Sequence, residues 1–157
     1  MKWYPTNISP EQTALAERLG VPVAIQHVES GMILVLIPGD APYYMATTPT
    51  TQAQWRAVMQ TNPSEHKGDD LPVECVSWHD AMAFCKKAGL ALPTEAQWEA
   101  AARAGTTTNY WWGDTFDPKM ANCWDGGPHE TTVPGAYPAN PYGLWDVLGN
   151  VWEWCDE

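Results

Sequence analysis

Basic residues are scarce in this 157-residue chain: eight Lys and Arg stand against 19 Asp and Glu, a formal charge of −11. A surface so short of cations lacks the basic face that non-specific binding to nucleic acid or anionic lipid requires, so neither is an expected partner. No apolar run approaches the roughly 20 residues that span a bilayer. The start, Met1-Lys2-Trp3-Tyr4-Pro5, has no apolar segment behind its one basic residue. Membrane insertion and secretion are therefore not expected, and a cytoplasmic location is. C-x-x-C is absent, which removes zinc knuckles and thioredoxin-like chemistry. Cys75, Cys85, Cys123 and Cys155 are even in number and admit two disulfides; without a secretory signal, free thiols in a reducing compartment are the favoured reading. Phenylalanine occurs twice, yet tryptophan occurs ten times, in a chain that is 45% apolar and 17% charged. Such a composition excludes disorder, and the length fits one domain. Indoles at this density point to a compact fold with much loop, pinned by large rings.

Four helix starts are legible in capping chemistry. Ser9-Pro10-Glu11-Gln12 places a cap, an N1 proline and a capping-box glutamine ahead of Ala14, Leu15 and Leu19, with Gly20 as the stop. Thr51 and Gln54 repeat the box before Trp55, Val58 and Met59. Ser77 and Asp80 open a third helix whose Ala81, Phe84, Cys85 and Ala88 share one face, with Gly89 at its end. Thr94 and Gln97 open the fourth, which carries Trp98, Ala101 and Ala102 as far as Gly105. Strands are expected over Val21–Val28, Met32–Ile37, Tyr43–Thr47, Val73–Val76 and Val151–Trp154. Met32–Ile37 is continuously apolar between Gly31 and Pro38-Gly39, as a strand covered on both faces would be. Short helices mixed with short strands indicate the α+β class.

From Gly105 to Gly149 periodicity disappears. Between Gly105 and Glu157 one lysine, Lys119, faces eight acids. Loops this long are uncommon in compact domains unless functional or held by something. Two readings account for it: a solvated acidic loop tied down by its tryptophans, or bound Ca²⁺ taking carboxylate, amide and carbonyl oxygens.

Three stretches are far more specific. They are Leu92-Pro93-Thr94-Glu95-Ala96-Gln97-Trp98-Glu99-Ala100-Ala101-Ala102-Arg103-Ala104-Gly105, Tyr142-Gly143-Leu144-Trp145-Asp146-Val147-Leu148-Gly149-Asn150-Val151-Trp152-Glu153-Trp154, and Pro72-Val73-Glu74-Cys75-Val76-Ser77-Trp78-His79-Asp80-Ala81. Together they closely resemble the sulfatase-modifying-factor family, the formylglycine-generating enzymes and their relatives. The resemblance runs from about Gly31 to the end, so residues 1–30 read as an N-terminal helix and lead-in strand before a family-type domain over 31–157. It implies a C-type-lectin-like α+β fold with much irregular loop and bound Ca²⁺. Carried over residue by residue, one ion takes the Asp146 side chain, the carbonyls of Gly149 and Val151, and Glu153. A second takes the Asn122 side chain and the Cys123 carbonyl; the loop beyond is shortened and leaves Asp125 as a substitute ligand. Taken alone, Asp146 also suits a cap on its own turn. Arg103 suits a structural salt bridge better than a carboxylate clamp, and the Val151–Trp154 alternation suits two core indoles better than a ligand platform.

Enzymes of this family oxidise a client cysteine with O₂ and Cu(I) held by two thiolates, the soft ligands Cu(I) selects. In the family that pair lies well downstream of the Gly-Asn-Val-Trp-Glu-Trp segment, past the position of Glu157, so copper is expected only if the missing C-terminal region is supplied. His27, His66, His79 and His129 are scattered, unlike the His cluster of the related sulfoxide synthases. The resulting expectation is a bacterial, C-terminally truncated, non-catalytic Ca²⁺-stabilised scaffold for a protein or peptide ligand. The competing readings are a part of a copper-dependent oxidase and a truncated reading frame without a role of its own.

Overall fold

The computed structural model describes residues 2–125 and 127–156. Four helices form where the caps predict: α1 (Pro10–Leu19), α2 (Gln52–Met59), α3 (Trp78–Ala88) and α4 (Glu95–Arg103). In each the Ser or Thr cap accepts the N3 amide while the N3 side chain returns to the cap's own N–H, so two otherwise orphaned donors are satisfied at once. The Asp80 box of α3 closes despite its shorter reach, with Ser77 N–H to Asp80 Oδ2 at 2.9 Å. Helix α4 ends one residue before the expected Gly105, with Ala104 in the left-handed cap.

Three strands, β1 (Ala24–Gln26), β2 (Ile33–Ile37) and β3 (Tyr43–Ala46), form one antiparallel sheet in that order. Every β2 residue is buried because both faces are covered. Met32 and Leu34 pack with Trp55 and Val58 of α2 and Phe84 and Cys85 of α3, while Leu36 meets Leu15 and Ala16 of α1. On the opposite face Val35 and Ile37 meet Ala101 and Ala102 of α4 together with Tyr142, Leu144 and Val147. Trp55 and Phe84 stack with ring centroids 5.1 Å apart.

Two expected strands do not form. At Val73–Val76 the positive φ of Cys75, 59°, breaks the extended run, and Val73 only donates to Thr50 O at 2.8 Å. Val151–Trp154 is irregular, not a strand, and not core: Val151 is half-buried and Trp152 and Trp154 are exposed. The sheet ends at β3, so no neighbour pairs with this segment. Polar tethers hold it instead, Trp154 Nε1 to Val76 O and Trp78 Nε1 to Cys155 O, each 3.0 Å, and Asp156 N to Pro93 O at 2.8 Å. Beyond Arg103 the described residues contain no helix or strand. No helix among them is long and apolar enough to cross a membrane.

Buried amides organise these loops. Asn140, fully buried, donates to Ala101 O and Ala102 O at 2.8 and 3.1 Å and accepts Tyr142 N–H and Leu144 N–H at 3.0 and 3.1 Å. Gln12 and Gln52, also fully buried, link helix starts to distant backbone, Gln12 Nε2 to Leu36 O and Gln52 Nε2 to Pro72 O among their bonds.

Candidate functional site

Two features converge at the C-terminal end of the chain: a knot of oxygen and amide groups around Asn150, and an apolar groove beside β3.

The knot arises because the Asp146–Asn150 turn takes left-handed backbone at Asp146, Gly149 and Asn150. Gly149 is required: a Cβ there would strike the Asn122 carbonyl and lie 3.1 Å from Cys123 Sγ. This close approach lets Asn150 N–H reach Asn122 O at 2.8 Å. The Asn150 side chain then donates to Asp146 Oδ2 at 3.1 Å and Thr132 O at 2.9 Å, and its Oδ1 accepts Thr132 N–H at 2.9 Å and Asn122 Nδ2 at 3.3 Å. Asp146 and Gly149, expected at one ion, thus sit beside Asn122 and Cys123, expected at the other, joined by an asparagine that belongs to neither expected ligand set. Its sequence signal is the Gly149-Asn150 pair, which favours a tight turn.

Asp146 is buried, and its Oδ1 has no hydrogen-bond partner. Burial raises its carboxyl to about 6, against the Asn150 hydrogen bond that favours the carboxylate. Thr131 Oγ1, another buried orphan, lies in the same loop. Across the knot, a Cβ at Gly127 would collide with both the Cys123 carbonyl and Asn122 Oδ1, so these two oxygens converge on one small space. The Cys123 carbonyl already accepts Gly127 N–H at 2.9 Å, and the Gly149 carbonyl accepts Val151 N–H at 2.9 Å; each keeps a second lone pair. Asp125 is exposed, and Gly126 of the shortened loop lies outside the described residues. Glu153 departs from the knot: its carboxylate accepts the Trp98 indole N–H on the groove wall. The low-dielectric walls push that carboxyl up to about 7 although the residue keeps an open side to water, and the Asp146 charge adds to the rise. An all-oxygen donor set with one orphaned buried carboxylate oxygen fits a hard cation such as Ca²⁺.

The groove has a volume of about 340 Å³ and runs between β3, the α2–α3 side of the core and the Val151–Trp154 segment. Its walls are mostly apolar, with Thr48, Thr50 and Gln97 among them and Glu153 as the one acidic side chain.

The four cysteines are free and occupy different settings. Cys85 is in the core and burial raises its thiol; burial also raises Cys123 and Cys155. Exposed Cys75 donates to Glu74 Oε2 at 2.7 Å, and that bond holds its proton on. Arg103 pairs with Glu99 at 3.0 Å, the structural role expected of it.

Comparison with known proteins agrees with this architecture. The sulfatase-modifying factor enzyme 1-like domain family matches residues 13–157. The formylglycine-generating enzyme of Mycobacterium tuberculosis is 48% identical over 96 residues, 53% of this chain and 32% of that protein. That of Thermomonospora curvata is 37% identical over 156 residues, 89% of this chain and 50% of its own length. The mouse protein named inactive C-alpha-formylglycine-generating enzyme 2 is 41% identical over 118 residues, covering 68% of this chain and 38% of its own length. This chain therefore spans half or less of these relatives. Among solved structures, Treponema denticola variable protein 1 superposes with a TM-score of 0.74 at 24% identity, covering 86% of this chain and 77% of that one. PvdO from Pseudomonas aeruginosa superposes at 0.67 with 20% identity, covering 85% and 74%. These two likenesses establish the α+β fold, and with the family match the conclusion follows that this chain belongs to the sulfatase-modifying-factor family, which includes the formylglycine-generating enzymes.

Proposed function

We propose that this chain is a calcium-stabilised, non-catalytic scaffold of its family, holding a protein or peptide ligand in the groove beside β3. The observation that carries the reading is the groove, an open apolar surface on the sheet's own core where a small soluble domain would otherwise be closed. A non-catalytic role has a precedent among the relatives, one of which is named inactive C-alpha-formylglycine-generating enzyme 2. Free thiols suit a reducing, cytoplasmic setting.

In this reading Ca²⁺ would be held by Asp146 with the Gly149 and Val151 carbonyls, Glu153 standing at the margin. A second ion would have Asn122 and the Cys123 carbonyl. Bound calcium would supply charge neutralisation and a cross-link in the acidic last third of the chain. A ligand bound only by the folded state adds about 2.7 kcal/mol at a hundredfold excess over its Kd, roughly 5–10 °C in Tm for a chain of this size. Millimolar Ca²⁺ should therefore raise the Tm of wild type over the chelated protein, and Asp146→Ala should lose the part of that rise owed to the first ion. An unchanged wild-type Tm retires the metal and leaves Asp146 as a turn cap.

A second reading draws on the relatives named formylglycine-generating enzymes, of which this chain spans half or less. Here the chain is one part of a copper-dependent oxidase converting a sulfatase cysteine to formylglycine, with the thiolate pair supplied by the portion lacking a counterpart. Incubating the purified chain with copper, O₂ and a cysteine-bearing sulfatase peptide separates the two. The scaffold reading expects no aldehyde product by mass spectrometry, and an aldehyde overturns it.

A further inference from the structure

We infer that a second pocket, which shares only Trp98 with the groove, binds a small organic cation of the quaternary-ammonium type. The rings of Trp98, Tyr110 and Trp111 would enclose its methyl groups, and the Glu95 carboxylate would balance its charge. This site goes beyond the scaffold reading and needs neither calcium nor a ligand in the groove.

The pocket follows from the sequence of α4. Glu95, Trp98, Glu99 and Ala102 fall at i, i+3, i+4 and i+7 and so share one face of the helix. That face meets the turn carrying Tyr110 and Trp111, and the space between them is about 300 Å³, the lower end of the roughly 300–1,000 Å³ of ligand sites. Tyr110 N–H to Gly113 O at 2.9 Å and Gly113 N–H to Tyr110 O at 3.1 Å close the turn. Its rings brace one another: Tyr110 stacks on Trp112 with centroids 4.9 Å apart, and Trp111 meets Trp112 edge-on at 5.3 Å. Trp111 and Leu148 also pack against the core that includes Ala101 and Ala102. Arg103 Nη1 donates to Thr108 O at 3.1 Å and ties the segment to the helix. The walls are therefore in place before a ligand arrives, which lowers the cost of binding one.

The charges of the walls select a cation over an anion. Arg103, the one basic side chain among them, is spent on Glu99 at 3.0 Å as well as on Thr108 O. Glu95 has no hydrogen bond or ion pair among the described residues, so the pocket carries one uncompensated negative charge. The Trp98 indole N–H is taken by Glu153, and what remains to the pocket is the ring. A metal ion is a poor occupant, because hard cations take roughly six to eight oxygen ligands and one free carboxylate supplies too few. Rings beside a carboxylate suit a weakly hydrated organic cation, whose charge the ring quadrupoles attract. A phosphorylated or lipid-borne ammonium fits less well, since its phosphate would lie near Glu95 and Glu99 with no free cation to meet it. The occupant is accordingly a free small molecule.

The test titrates the full 157-residue chain with choline by calorimetry in about 0.15 M NaCl, where the general attraction of a −11 chain for cations is screened. Saturable binding at one site is expected, about tenfold or more tighter than that of 3,3-dimethylbutan-1-ol, the neutral isostere of choline. Glu95→Gln, on an exposed residue, should weaken choline about fivefold or more and leave the isostere unchanged. Tyr110→Leu, which keeps an apolar wall and removes the ring, should weaken choline by a similar factor; if that variant does not fold, Glu95→Gln decides. Glu153→Gln, on the groove wall, should alter neither ligand. In NMR titrations the indole N–H signals of Trp98 and Trp111 should move while that of exposed Trp124 stays still. Absence of saturable binding overturns the inference, as does equal affinity for the neutral isostere, indifference to Glu95→Gln, or loss of binding on Glu153→Gln. Displacement of choline by phosphatidylcholine vesicles overturns the assignment to a free molecule.

Discussion

At Asn140 one side chain does what a strand pair would do elsewhere, closing four hydrogen bonds to the end of α4 and to its own turn. Deleting it strands two carbonyls and two amides in the core. Asn140→Ala should therefore cost about 3 kcal/mol or more in urea denaturation, while Asn109→Ala, on an exposed position, should cost a small fraction of that. Residues of this kind are the least legible in the sequence. Asn140, Asn150, Gln12 and Gln52 are polar, and nothing in periodicity separates a buried amide from a solvated one. Asp146 is legible only through the family resemblance, and its environment makes a pH prediction. Its folded carboxyl is raised to about 6 from an ordinary 3.8, so between these values the native state binds more protons than the unfolded state. In chelator, stability should fall as pH rises through that window, by on the order of 2–3 kcal/mol, and stay low above about 6. Asp146→Asn should flatten the slope, and Ca²⁺ should oppose it by favouring the carboxylate. A chelated wild type that gains stability from pH 4 to 6.5 would show that the orphaned oxygen has found a partner.

At the scale of elements, the helices are readable because each start carries its own chemistry, complete within four residues. Ser9 to Gln12 and Thr94 to Gln97 need no knowledge of the rest of the chain, and the structure closes both boxes. Thr94→Ala should lower stability by about 1 kcal/mol, a loss Thr94→Ser should largely restore. Strand β2 is readable for a related reason, since an uninterrupted apolar run states that both faces are covered. Val151–Trp154 misleads because the same alternation of apolar residues describes a strand whose partner is present and a segment whose partner is not. A strand is defined by its neighbour, and here the sheet stops at β3. The Trp154 indole accordingly serves as a donor, to Val76 O, while Trp152 stands fully in solvent. Trp152→Ala should leave the melting temperature of the isolated chain within about 1 °C, since it removes almost no buried area. A larger drop would place Trp152 in contacts that this conformation does not contain.

For the molecule as a whole, the excess of acid sets two mechanisms against each other. With −11 distributed over 157 residues, general self-repulsion is relieved by any salt, because the Debye length contracts from about 8 Å at 0.15 M to about 3 Å at 1 M. A specific cage at the Asn150 knot, as proposed, would be relieved only by a cation that fits its oxygens. The composition admits both, and the fold separates them. Of the eight acids after Gly105, Asp146 is buried with an unpartnered oxygen, whereas Asp114, Asp125, Glu130 and Asp156 are exposed. Screening acts on the exposed set, and in the proposed calcium reading coordination would act on Asp146. NaCl should then raise the Tm of wild type and Asp146→Ala by similar small amounts. CaCl₂ at matched ionic strength should add a further increment that is larger in wild type than in Asp146→Ala, saturating at millimolar concentration, with Mg²⁺ weaker because it demands a stricter octahedral shell. If matched NaCl reproduces the entire calcium effect, or Asp146→Ala retains it, the acidic last third is a solvated loop and its irregular path is held by indoles and buried amides without an ion.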